Sequence, residues 1–187
     1  MIQGKNITLI DAAIEDRLAV YEWCFHAETT KCHFGPPDFP DMKLPSYDEF
    51  RADYEDYFFD GSRLEDGRGY LITYEGEAIG FISYTAFHLK DGIAELDSWI
   101  PLEANCGKGY GNDAIITLSD YLHKKQGINT VIMAPHVKNL RAVRAYEKAG
   151  FVQSNIPMSD FLLDEFIELY GDGDYGKGNT VVCVKTF

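Results

Sequence analysis

The stretch Cys106–Ile115 reads CGKGYGNDAI, three glycines in five positions directly ahead of a helical pattern. From Asn112 the apolar residues Ile115, Leu118, Tyr121 and Leu122 recur at helical spacing until Gly127 ends the pattern. Upstream, GIAELDSWI reads as a strand. A strand, a glycine-rich turn and a helix N-terminus in that order restrict the chain to an α/β arrangement. They also make an anion site, because unpaired backbone N–H groups converge there and the helix dipole favours negative charge.

Charge places an anionic ligand near the same loop. The formal net charge is −13, which argues against nucleic acid or an anionic membrane as partner. Yet Cys106–Gly150 holds seven basic residues (Lys108, Lys124, Lys125, Lys138, Arg141, Arg144, Lys148) against three acidic ones, a basic island in an acidic chain. A solvated basic helix surface is the plainer explanation of that island. Two phosphate ligands fail on spacing. A nucleoside triphosphate loop requires GxxxxGK[ST], and no Ser or Thr follows Lys108. A dinucleotide loop requires glycine where Asn112 stands and an acidic residue about 20 positions on, where INTVIM offers none.

The loop resembles the acetyl-CoA pyrophosphate loop of the GNAT superfamily of N-acetyltransferases, Arg/Gln-x-x-Gly-x-Gly/Ala, with Gly109 and Gly111 at the two small positions. Cys106 stands where the family places Arg or Gln. Downstream, NLRAVRAYEKAGF resembles the second signature of that family. Its Asn139 and Tyr146 lie seven residues apart, two helical turns, so both project from one side of a helix. Taken singly, Asn139 also reads as a plain N-cap and Tyr146 as core filler. The resemblance implies a mixed, mostly antiparallel α/β (α+β) sheet flanked by helices, with the strand before the loop and the strand after its helix splayed around acetyl-CoA. It implies further that Asn139 contacts the pantetheine arm, that Tyr146 lies beside the thioester sulfur, and that a backbone N–H at Trp99 or Ile100 holds the oxyanion. Gly107, Lys108, Gly109, Tyr110, Gly111 and Asn112 complete the expected cofactor site.

Amine acetylation also requires a group to take the ammonium proton. In GIAELDSWI, period-2 alternation puts Glu95, Asp97 and Trp99 on one face, opposite Ala94, Leu96, Ser98 and Ile100. Two carboxylates on one face of this strand can bind an ammonium and accept its proton. Asp97 is the preferred base, ten residues before Gly107, a spacing similar to that in certain aminoglycoside 6'-N-acetyltransferases. An exposed strand end with carboxylates paired to Lys or Arg is the alternative. The acceptor site is expected from the Cys24–Pro45 loop, a second helix and the tail. These segments and their borders carry Glu22, Glu28, Asp38, Asp41, Glu55, Asp56, Asp160, Asp164 and Glu165, with Trp23, Phe34, Phe39 and Tyr57. Acidic and aromatic groups suit a cationic small-molecule amine such as an aminoglycoside or polyamine. A peptide acceptor, a hydroxyl acceptor and an acyl-CoA sensor without turnover are the competing readings.

The remaining elements fit one domain over residues 1–187. NITLIDA reads as a strand, and EDRLAVYEWCF as a helix through Leu18, Tyr21, Trp23 and Phe25. SYDEFRADYEDYFF reads as one helix with Ser46 and Glu49 as a capping box. A hairpin turning at Glu75-Gly76, a strand NTVIMAPHV, a helix from Asn139 to Gly150, a strand FVQSN, a possible helix SDFLLDEFIELY and a closing strand TVVCVKTF follow. With 45% hydrophobic residues the chain can bury a full core as monomer or homodimer. No segment approaches the roughly 18–20 apolar residues that span a bilayer, and four scattered cysteines suit a reducing compartment, so a cytoplasmic location is expected. Cys24, His26, Cys32 and His33 lack a usual zinc spacing, and Asp172–Asp174 lack the closing Glu of a calcium loop, so no metal is expected.

Overall fold

The computed structural model describes residues 1–33 and 43–187, so Phe34, Asp38, Phe39 and Asp41 lie outside the described residues, as does the side chain of His33. Strands β1 (Ile2–Gln3), β2 (Thr8–Asp11), β3 (Gly67–Tyr74), β4 (Glu77–Thr85), β5 (Ile93–Trp99), β6 (Thr130–Met133), β7 (Val152–Ser154) and β8 (Val182–Thr186) form one sheet. Its order is β1-β2-β3-β4-β5-β6-β8-β7. Only β5 and β6 run parallel, which requires a crossover, and that crossover is α5 (Tyr110–Gln126).

Helix α5 covers one face. Its Ala114, Ile115, Leu118 and Leu122 pack on Ala94 and Leu96 of β5, as their helical spacing predicts. The other face is covered from the N-terminal side by α1 (Arg17–Phe25), α2 (Thr30–His33), α3 (Tyr47–Asp53) and α4 (Tyr57–Asp60), whose aromatic residues pack on Phe81 and Trp99. In α1 the buried positions are Val20, Tyr21 and Cys24, whereas Leu18 is exposed, so the helix is as read but its inward face is turned.

Two helix readings are corrected. The capping box of Ser46 and Glu49 is present, but the helix it starts ends at Tyr54, where the backbone leaves the helical region (φ −95, ψ 73). Packing of the Tyr54 ring accompanies the break: it stacks on Phe50 at 4.9 Å, lies tilted against Phe58 at 4.8 Å and meets Trp99 edge-on. SDFLLDEFIELY likewise divides into two 3-10 turns and the four-residue α7 (Ile167–Tyr170), because Phe161 and Leu162 turn into a separate apolar cluster with Leu89 and Ile132. The hairpin turns at Glu75 (φ 52) and Gly76 (φ 88), the two left-handed residues of a type I′ turn. No described helix is long and apolar enough to cross a membrane.

The sheet opens where the site lies. Pairing of β5 with β6 stops at Glu95 opposite Ile132, although β5 continues to Trp99. Beyond that point, among the described residues, the backbone of β5 has a strand neighbour only on the β4 side, and α6 (Leu140–Lys148) stands across the gap.

Candidate active site

The gap is a cleft of about 560 Å³ between β5, the glycine loop and α6. Gly107 (φ 73) and Gly109 (φ 90) form its loop wall in the left-handed region that favours glycine. A Cβ on either would meet no protein atom within 4 Å, so the loop backbone faces open space. Gly109 is the N-cap of α5, and the first turn of that 17-residue helix therefore aims its unpaired N–H groups at the cleft. Tyr110, Gly111 and Asn112 line the same wall, and the Asn112 amide donates to Ala145 O of α6 at 2.9 Å. Lys108 is exposed and is not among the lining residues.

From α6 come Asn139, Arg141, Arg144, Tyr146 and Lys148. The basic island is thus sorted: three of its residues face the cleft, while Lys124 pairs with Asp120 on α5. Asn139 caps α6, its Oδ1 accepting from Ala142 N at 3.1 Å, and also lines the cleft, so its two readings coexist. Arg141 reaches across to Glu103, with 3.2 and 3.0 Å contacts to the two carboxylate oxygens. Cys106 turns its thiol back on its own loop, toward Leu102 O at 3.5 Å, and burial pushes that thiol's pKa up. A sulfur held in this way offers less to a phosphate than the longer Arg or Gln.

The opposite face of β5 carries the carboxyl pair. Glu95, Asp97 and Trp99 project there beside Thr85, Ser83 and Phe81 of β4, as the alternation predicts. The exposed, Lys- or Arg-paired alternative is wrong: among the described residues neither Glu95 nor Asp97 pairs with a lysine or arginine, and the Glu95 side chain is 13% exposed. Burial first, then the charges of Glu95 and Asp174, push Asp97 well above the usual carboxylate range. Burial and Asp174 raise Glu95 to about 8. The Tyr54 hydroxyl lies 3.5 Å from Asp97 Oδ2 and 3.4 Å from Ser83 Oγ.

Tyr146 joins the two sides. It lines the cleft, yet its phenol responds to Asp97 and Glu95, and burial ahead of those charges pushes its pKa far up, so the hydroxyl keeps its proton. Ser98 and Ile100 face the cleft; Thr29 donates to Ile100 O at 2.8 Å.

Several expected acceptor residues are committed elsewhere. Asp56 pairs with the buried Arg17, Glu55 with Arg63, and Glu28 accepts from Glu103 N at 2.9 Å. Cys24 is buried among aromatic rings, His26 meets the Tyr21 hydroxyl at 3.1 Å and Cys32 lies 3.9 Å from Arg141. Three residues were missed by the sequence reading. Tyr54 looked like one more helical aromatic, His88 sits in an unremarkable turn, and Asp174 lay in a segment read only against the calcium pattern. The acidic, glycine-rich composition of GDGDYGKGN was the one available signal for Asp174.

The profile of the acetyltransferase (GNAT) domain matches residues 6–152. Among curated proteins, an aminoglycoside N(6')-acetyltransferase type 1 of Klebsiella pneumoniae is 25% identical over 159 residues, covering 79% of this chain and 75% of the relative. Among solved structures, AAC(6')-Ib in complex with parmomycin and acetyl-CoA superposes with a TM-score of 0.71 at 20% identity, covering 97% of this chain and 94% of that one. A spermidine N-acetyltransferase from Vibrio cholerae, in complex with CoA and spermine, has a TM-score of 0.64 at 18% identity, covering 97% and 95%. With a profile spanning most of its length and a sheet that splays beside the glycine loop, this chain belongs to the GNAT acetyltransferase family.

Proposed function

We propose that the protein transfers the acetyl group of acetyl-CoA to a primary amine of a cationic small molecule, an aminoglycoside or polyamine, within one ternary complex and on a single catalytic domain. The observation that carries this reading is the pair Glu95 and Asp97, largely enclosed and, among the described residues, paired with no lysine or arginine, on a strand whose other face lines the cleft. Buried carboxyls so placed favour a ligand that brings its own positive charge. The names of the relatives, aminoglycoside and spermidine acetyltransferases, support the same class.

The cleft fits coenzyme A. Gly107, Gly109 and Gly111 offer backbone N–H groups to the pyrophosphate at the start of α5, with Tyr110 and Asn112 alongside; Lys108, exposed on the same loop, does not line the cleft. Arg141, Arg144 and Lys148 add positive charge that Cys106 does not, and Asn139 and Ile100, which line the cleft, would meet the arm that carries the thioester, with the backbone of Trp99 next to Ile100. When bound, acetyl-CoA supplies an activated acyl carbonyl.

This chain's residues then manage protons. The acceptor ammonium lowers the Asp97 pKa by Coulomb attraction, and the ionised carboxylate accepts the ammonium proton at Oδ. Glu95 adds negative charge that holds the acceptor. A backbone N–H at Trp99 or Ile100 faces the developing oxyanion. Tyr146 would hydrogen-bond the departing sulfur through its phenol, and the proton that the acylated nitrogen sheds would neutralise the thiolate and leave the phenol protonated.

Purified protein mixed with acetyl-CoA and spermidine, spermine, kanamycin, ribostamycin or peptide N-termini, followed by CoA thiol release, tests the reading. Turnover confined to polycationic amines is expected. Binding of acetyl-CoA with no thiol release across the panel would refute it in favour of a sensor, and an ester product would refute N-transfer.

A further inference from the structure

The least explained group near this site is His88. It lies in the turn after β4, its side chain 8% exposed, with ring contacts to Phe87 at 4.8 Å and Tyr170 at 5.2 Å. Nε2 is 3.4 Å from Glu95 Oε2, and Nδ1 is buried with no hydrogen-bond partner among the described residues. An aromatic core position needs no imidazole, and an unpartnered buried nitrogen is a cost that a phenyl ring would avoid. What the imidazole adds over a phenyl is a donor aimed at Glu95.

The orphaned Nδ1 fixes the proton. Were Nδ1 protonated, a buried N–H would lack an acceptor; a bare lone pair there is the cheaper vacancy. The proton therefore sits on Nε2, which faces Glu95 Oε2 at 3.4 Å, near enough to favour the ionised carboxylate. The groups facing this pair are Asp97 on the same strand, Asp174 and Tyr175 from the loop before β8, Tyr146 of α6, Tyr170 of α7 and, through Asp174, Asp53 of α3. Burial drives the imidazole pKa down to about 4, with Asp174 acting the other way, so the contact joins a neutral imidazole to a carboxyl and is not an ion pair.

We propose that His88 is a positioning residue of the acceptor site: its Nε2–H orients Glu95 beside Asp97 and supports the ionised carboxylate that holds a second cationic group of the acceptor. This rests on the acceptor reading above and adds that the acceptor carries at least two ammonium groups. One meets Asp97 and reacts; the other meets Glu95 and does not. Successive same-face residues of a strand are about 7 Å apart, a separation that short diamine spacers bridge.

His88→Phe keeps the ring and removes the donor, whereas His88→Gln keeps a donor that does not titrate. With spermidine, His88→Phe should raise the acceptor KM about tenfold, leave the acetyl-CoA KM unchanged and move the acid limb of kcat/KM toward higher pH, with His88→Gln returning most of the loss. A monoamine of similar length should lose little. An unmoved acid limb in a folded His88→Phe, or equal losses for the monoamine and spermidine, would overturn the proposal. Imidazole ¹⁵N shifts of the wild type, assigned with His88→Gln, decide it apart from turnover and from the folding of either variant. A neutral Nε2–H ring is expected from about pH 5 to 8; a Nδ1–H tautomer, or titration within that window, would defeat it. Absence of turnover in the wild type would count against the proposed activity, and the ¹⁵N result would still judge His88.

Discussion

Replacing Glu95 with Gln should make the protein more stable and less able to hold its substrate. Folding raises the Glu95 pKa from its ordinary 4.5 to about 8, chiefly by burial and then by Asp174. A carboxyl whose pKa rises on folding costs stability progressively through the window in which the unfolded chain ionises it and the folded chain does not. Its cost is absent below the unfolded pKa, grows as pH rises from there, and levels off above about 8. From pH 4.5 to about 7 the span is roughly 2.5 units at about 1.4 kcal/mol each, so the penalty at neutral pH is on the order of 3 kcal/mol. Glutamine fills the same space, can accept from the His88 Nε2–H and has no proton to lose. Urea unfolding of wild type and Glu95→Gln should therefore diverge with pH, the variant gaining about 2–3 kcal/mol at about pH 7 and almost nothing near pH 4.5. The same variant should show a raised KM for spermidine. A pH-independent difference, or a variant less stable at neutral pH, would refute the picture of a buried carboxyl held for a cationic ligand.

Asp97→Asn should lower kcat/KM about 10²–10⁴-fold and flatten the acid limb of its pH profile, because the carboxylate that ionises as pH rises is gone; pH-rate measurements with spermidine check this. Tyr146→Phe should cut kcat by about 10²-fold with both KM values nearly constant, since the phenol acts on the leaving sulfur alone, as steady-state kinetics would show. Gly109→Val, at φ 90 and with no protein atom near the added Cβ, should keep the fold while weakening acetyl-CoA binding about tenfold or more, measurable by calorimetry.

The cofactor side was legible because it is built from local pattern. Glycine spacing, the start of α5 and the seven-residue step from Asn139 to Tyr146 are short-range relations that a helix converts directly into one wall of the cleft. The acceptor side was half legible. Alternation placed Glu95 and Asp97 on one face, but whether that face met solvent or protein depended on α3, α7 and the loop before β8. Asp174 lies beyond residue 152, where the family profile ends, and reaches Asp97 and Glu95 only through the fold.

The amino-acid sequence by itself determined the order of the main strands and helices, the glycine loop ahead of α5 and the side of β5 on which the carboxylates stand, since periods of 3.6 and 2 residues are fixed by backbone geometry. Only the tertiary structure decided that β5 parts from β6 after Glu95, that Tyr54 breaks its helix to reach Asp97, and that His88 stands behind Glu95. Those outcomes turn on burial, which no local period encodes: a carboxylate and an imidazole change proton affinity when distant segments exclude water from them.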